Sequence, residues 1–207
     1  NLSWTEFAEN KPPVPGRLKA DLSQSALRLS RLGISPETPV VVAGYGSQSS
    51  GDEGRLAWTL IYLGVKDVQI AALESLGLTF SNLVQPPPRE NAKAWQPVLV
   101  SSVLAQGKEV LKIGTTQATG RHHIIDVRTL SEYADTSTRK RGFKKPDLRA
   151  VNIPFQEFFD QKGRPNLNIV QRLQSIGIQP DHRIIVLSNN GVRSGAAAFA
   201  LLSLGFK

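Results

Sequence analysis

The run Ser188-Asn189-Asn190-Gly191-Val192-Arg193-Ser194 gathers two hydroxyls, two amides and a guanidinium within seven residues. It follows the apolar run Arg183-Ile184-Ile185-Val186-Leu187 and precedes an alanine-rich stretch, 195–204. The apolar run predicts a buried strand and the alanine-rich stretch a helix. Backbone N–H groups of a short loop between two such elements converge on its centre, and the positive end of the helix dipole adds to them. Such a loop favours an anion or a low-pKa nucleophile, and Arg193 is suited to an oxyanion. The plain alternative is an ordinary strand-to-helix turn with Ser194 as its N-cap.

The elements that must hold this loop occur twice. Arg31-Leu-Gly-Ile-Ser-Pro-Glu-Thr-Pro-Val-Val-Val-Ala-Gly44 runs parallel to Ser175-Ile-Gly-Ile-Gln-Pro-Asp-His-Arg-Ile-Ile-Val-Leu-Ser188. Trp4-Thr-Glu6-Phe7 is likewise echoed by Phe155-Gln-Glu157-Phe158, and Leu60-Ile-Tyr-Leu-Gly64-Val-Lys66 by Leu201-Leu-Ser-Leu-Gly205-Phe-Lys207. Each copy predicts a helix (18–32; 167–176), a Gly-Ile-x-Pro turn that ends it, a strand, a polar loop and a second apolar helix. That alternation implies a parallel α/β sheet. The triple proline at 86–88 opens a linker over 86–95, which divides the chain into an N-terminal unit, 1–85, and a C-terminal unit, 96–207. Residues 98–110 predict the first helix of the second unit.

The copies differ at their ends. His122-His-Ile-Ile-Asp126-Val-Arg128 predicts a strand with no counterpart ahead of Asn1, and residues 66–70 predict a strand whose counterpart would follow Lys207. Both units therefore read as truncated, and companion segments are expected to complete the sheets. The lack of methionine even at position 1 reads as a processed, trimmed or engineered chain.

With 207 residues, 40% hydrophobic and 20% charged, the chain has the composition of a soluble globular protein with a sizeable core. It shows neither a membrane-spanning run nor a signal-peptide pattern, and its compartment reads as cytoplasmic or periplasmic. Zero cysteines exclude disulfides, cysteine-ligated metal and thiol catalysis in the chain as it stands. A net charge of +8 favours anionic partners without choosing among them.

Ile125-Asp126-Val127-Arg128 with Glu132-Tyr133 after it, Ala150-Val-Asn-Ile-Pro-Phe155, the Gly-Ile-x-Pro turn and the 188–194 loop together resemble tandem members of the rhodanese family of sulfurtransferases. The resemblance covers nearly the whole chain. It implies two rhodanese-like units, each an open parallel sheet flanked by helices, with the active loop in the C-terminal one. The N-terminal unit would be catalytically empty, with Gly44 at the corresponding position and a longer loop after it. The family's loop reads Cys-x-x-Gly-x-Arg, and here the nucleophile's position holds Ser188.

By that resemblance, a thiolate at position 188 would take the outer sulfur of thiosulfate, hold it as a persulfide, and pass it to a thiol or cyanide. Arg193 would hold the donor's sulfonate, and Asn189, Asn190, Gly191, Val192 and Ser194 would shape the cradle. Asp126, Arg128 and Glu132 would support it, with Arg128 paired to Glu132. No cofactor or metal is implied. A serine hydroxyl cannot stand in for the thiolate. Ser188 is either a replaced cysteine or the mark of a naturally silent domain, which leaves a non-catalytic anion-binding or docking module as the alternative. The family's segment before the third strand is degraded here to Pro146-Asp-Leu-Arg-Ala150.

Other candidates read more plainly. His122 and His123 on a strand point to opposite faces without further ligands at metal spacing. The basic run Arg139-Lys-Arg-Gly-Phe-Lys-Lys145 reads as a solvated loop rather than a nucleic-acid site. Gly51-Asp-Glu-Gly54 lacks the Lys-Ser/Thr of a nucleotide-binding loop. Trp4, Trp58 and Trp95 read as packing residues.

Overall fold

In the computed structural model, residues 2–11, 15–77, 88–115, 120–134 and 148–207 are described. The basic run 139–145 and part of the expected linker, 86–87, lie outside them. The valine-rich run forms β1 (Val40–Gly44), which pairs in parallel with β2 (Val68–Ala72). The second sheet has the order β4 (Val151–Asn152), β3 (His122–Asp126), β5 (Arg183–Leu187), all parallel. Parallel strands need crossovers, and helices supply them. Between β1 and β2 runs α2 (Asp52–Leu63), and α6 (Val192–Ser203) follows β5.

The internal repeat is visible in hydrogen bonds. Helix α1 (Leu22–Arg31) ends where Gly33, at φ 81°, turns the chain back and Ile34 N–H reaches Leu29 O at 3.0 Å. Helix α5 (Asn168–Ser175) ends in the same way, with Gly177 at φ 83° and Ile178 N–H 2.9 Å from Leu173 O. Left-handed glycine is what allows each helix to stop and its following isoleucine to fold inward.

Several boundaries differ from expectation. Helix α1 begins at Leu22 because Asp21 caps it, its carboxylate accepting Gln24 N–H at 3.0 Å, while Leu18 is drawn into an antiparallel bridge with Ala8. The helix expected over 98–110 is α3 (Gly107–Thr115). Residues ahead of it are tied to α2 instead: Val100 N–H donates to Tyr62 O at 3.0 Å and Trp58 Nε1–H to Val103 O at 3.2 Å. Strand β2 is shifted to Val68–Ala72.

Two cores form. One gathers Ile125, Ile153, Phe158, Leu173 and Ile178 around the larger sheet. The other gathers Phe7, Leu29, Trp58, Leu60 and Leu63, and also Phe199 of α6. Helices α2 and α6 meet at small residues. A Cβ placed on Gly54 would lie 2.8 Å from Ala196 Cα, so backbone contacts backbone there. This crossing brings the loops ahead of the two helices face to face.

Candidate functional site

Strand β5 delivers Ser188 at its C-terminal end, and Gly191 at φ 75° turns the chain into α6. Gly195 N–H closes the first turn on Gly191 O at 2.9 Å. The helix therefore begins three residues earlier than expected, its N-cap is Gly191 rather than Ser194, and Val192, Arg193 and Ser194 form the first turn. The hydroxyl of Ser188 lies over that turn. Its Oγ accepts Ser194 N–H at 3.2 Å and donates to Ser194 Oγ at 3.1 Å. Position 188 thus lies at the positive end of α6.

Arg193 faces the pocket held by a carboxylate. Its Nη1 and Nη2 donate to Glu132 Oε2 and Oε1 at 2.7 and 2.8 Å, a bidentate pair, and Asn189 Nδ2 donates to Glu132 Oε1 at 2.9 Å. Glu132 is aimed by its own helix, α4 (Leu130–Ala134). Thr129 N–H and Oγ1–H donate to Glu132 Oε2 at 3.0 and 2.8 Å, and Glu132 N–H donates back to Thr129 Oγ1 at 3.3 Å. This reciprocal capping box fixes the carboxylate toward the loop. The Arg193 hydrogen bonds, followed by those of Thr129, hold the Glu132 carboxyl far below the usual carboxylate range, and the pairing raises Arg193 in turn.

The expected Arg128 to Glu132 pair is not formed. Arg128 turns back on Asp126, its Nε 2.9 Å from Oδ1 and its Nη2 2.6 Å from Oδ2, and its own N–H also reaches Oδ1 at 3.0 Å. Asp126 is the nearer carboxylate, two residues back, and Arg193 already engages Glu132. Asn152 completes the shelf by donating to the carbonyls of Asp126 and Arg128, both at 2.9 Å.

The loop opens on a cavity of about 390 Å³ shared by both halves of the molecule. Ser188, Asn190 and Arg193 line one side, while Ser49, Asp52 and Phe155 line the rest. The contributions of Ser49, Asp52 and Phe155 were not foreseen, because nothing in the sequence marks which surfaces meet across the α2/α6 crossing. Glu132 is reached from the sequence only through the family resemblance, and with the wrong partner; the unused signal that gives its direction is the Thr129-Leu-Ser-Glu132 capping-box pattern.

The first half's own loop has no such cradle. Aligned on the N-cap glycines, Gly51 with Gly191, Glu53 falls where Arg193 stands. A Cβ on Gly44 would lie 2.6 Å from the Glu53 carboxyl carbon, and Ser49 Oγ–H is bonded to Glu53 Oε2. A side chain at 44 and the Glu53 carboxylate compete for one space. Elsewhere, His123 stacks on His182, with Nε2 2.9 Å from His182 Nδ1, and His122 is exposed. All three indoles donate: Trp4 to Asp52 Oδ1 at 2.6 Å, Trp58 to Val103 O, and Trp95 to Ile34 O at 3.1 Å. Among the described residues no helix is long and apolar enough to cross a membrane.

Residues 112–207 match the family model described as a rhodanese-like domain. Over 99% of its length the chain superposes on SseA from Escherichia coli, a 3-mercaptopyruvate sulfotransferase, with a TM-score of 0.71 and 21% identity, covering 76% of that chain. A probable thiosulfate sulfurtransferase matches 94% of this chain and 76% of its own, with a TM-score of 0.61 and 21% identity. EanB, solved in complex with hercynine, matches 97% of this chain and 52% of its own, with a TM-score of 0.73 and 19% identity. At these identities the superpositions establish the fold. No curated protein matches.

Proposed function

We propose, from the premise that residues 112–207 of this chain are a rhodanese-like domain, that the molecule is a thiosulfate-type sulfurtransferase scaffold with position 188 as its reacting position. One observation supports this most. The side-chain oxygen at 188 receives the first-turn N–H of α6 at 3.2 Å, at the edge of the shared cavity. With cysteine at 188, the thiolate attacks the outer sulfur of thiosulfate, the donor's S–S bond breaks, sulfite leaves, and a persulfide remains. An acceptor thiolate or cyanide then attacks the terminal sulfur and releases the thiolate. The backbone of 189–194 stabilises negative charge on sulfur, and Arg193, with five N–H donors of which two go to Glu132, keeps donors for the sulfonate. The chain divides at 86–95 into a unit without a cradle and a unit with one.

With Ser188 the cycle does not run, because oxygen without a general base is neither the nucleophile nor the sulfur carrier required. The Glu132 clamp on Arg193 favours a second reading, a non-catalytic anion-binding or docking module. Thiosulfate-to-cyanide turnover separates the two. Ser188→Cys is expected to turn over while the unaltered chain does not; a folded Ser188→Cys protein with an alkylatable thiol and no turnover points to the module.

A further inference from the structure

One buried group lies beneath the loop without a part in this scheme. Arg55, on α2, is 5% exposed and crosses from the first half of the molecule to the second. Its Nη2 donates to Gly16 O at 2.7 Å and its Nη1 to Gly191 O at 3.2 Å, while the guanidinium lies 4.8 Å from the Trp58 ring centroid. Nε is buried with no acceptor among the described residues. Glycines make the room. A Cβ on Gly191 would lie 3.1 Å from Arg55 Nη1, one on Gly195 2.8 Å from Arg55 Cδ, and one on Gly16 1.8 Å from Asn190 O. One guanidinium therefore ties together the Gly16 turn and the Gly191–Val192 peptide at the N-cap of α6.

Its charge is the unusual part. Arg193 is held by Glu132 and Arg128 by Asp126, and Asp52 accepts from Trp4. No carboxylate among the described residues pairs with Arg55. Burial lowers its pKa to about 10, which leaves it protonated at neutral pH. A buried cation satisfied by two carbonyl dipoles keeps its field, and the loop beside it feels that field in a medium that screens poorly.

We propose that Arg55, carried by the half without a nucleophile position, is a positioning residue for the other half's loop: it fixes the Gly191–Val192 peptide and biases position 188 toward an anion. This rests on the reading that position 188 is where the chemistry takes place. The groups acting on 188 are then the first turn of α6 with Arg193, Glu132 from α4, the Asp126–Arg128 pair at the end of β3, and Asp52 and Arg55 from α2.

The test uses Ser188→Cys as a reporter and needs no sulfur transfer. The apparent thiol pKa is read from the pH dependence of iodoacetamide alkylation in Ser188→Cys alone and combined with Arg55→Lys or Arg55→Met. Loss of the charge is expected to raise the thiol pKa by about one unit, and Arg55→Lys by less than half of that. Should Arg55→Met fail to fold, Arg55→Gln, which keeps a donor for the carbonyls without the charge, carries the same expectation. A thiol pKa unchanged in the folded neutral variant, with only the melting temperature lowered, overturns the proposal. A shifted pKa in a protein that takes up no sulfur would instead count against the sulfurtransferase reading while leaving the role of Arg55 intact.

Discussion

At position 188 a single atom separates two chemistries, since the Ser194 N–H that holds the Ser188 hydroxyl would hold a thiolate equally well. The residue that most alters this picture is Glu132. Its pairing with Arg193 spans 61 residues of sequence, so no local pattern could announce the contact, although the Thr129 capping box announces the direction of the carboxylate. Because the folded carboxyl lies below its unfolded value of about 4.3, the clamp contributes stability above that pH and loses it as pH falls toward the lowered folded value. Melting temperatures of the unaltered chain and Glu132→Gln are therefore expected to differ by a constant amount above about pH 5 and to converge progressively as pH falls below about 4. A difference that stays constant into acid would mean that the carboxylate's ionisation does not stabilise the fold.

Among the elements, β5 and both Gly-Ile turns were legible because the β-branched and leucine run after Arg183, and a glycine followed by an apolar anchor, each leave one local solution. The start of α6 was misplaced because Ser194 is a good N-cap type, yet Gly191 takes the left-handed turn first and the helix is under way before Ser194. The helix expected over 98–110 gave way to contacts with α2, which a one-dimensional pattern does not carry. The α2/α6 crossing depends on Gly54 and Gly195. Gly54→Ala would gain about 1 kcal/mol of helix propensity, but its methyl meets Ala196 backbone, and overpacking of that kind costs about 1–3 kcal/mol. The net expectation is a lower denaturant midpoint, checked by urea unfolding; a raised midpoint would mean that the helices separate without loss.

Over the whole molecule, the family resemblance correctly anticipated an α/β fold with parallel sheets, whereas the shared cavity and the Arg55 bridge emerge only when the halves are together. Phe199 of α6, 3% exposed, completes the core around β1 and β2. Phe199→Ala is expected to cost about 3–5 kcal/mol, read from denaturant unfolding. Because that core is shared, the halves should unfold together. The three tryptophans all fall within the first 95 residues, so fluorescence reports that half while far-UV circular dichroism reports both. Coincident transitions are expected, and a separate fluorescence transition would show the halves to be independent.

The central claim, that position 188 lies in a cradle made for sulfur transfer, is tested most directly by intact mass. Ser188→Cys protein mixed with thiosulfate and desalted is predicted to gain the mass of one sulfur atom and to lose it on adding cyanide. An unchanged mass in a folded protein whose thiol still reacts with iodoacetamide would contradict the claim.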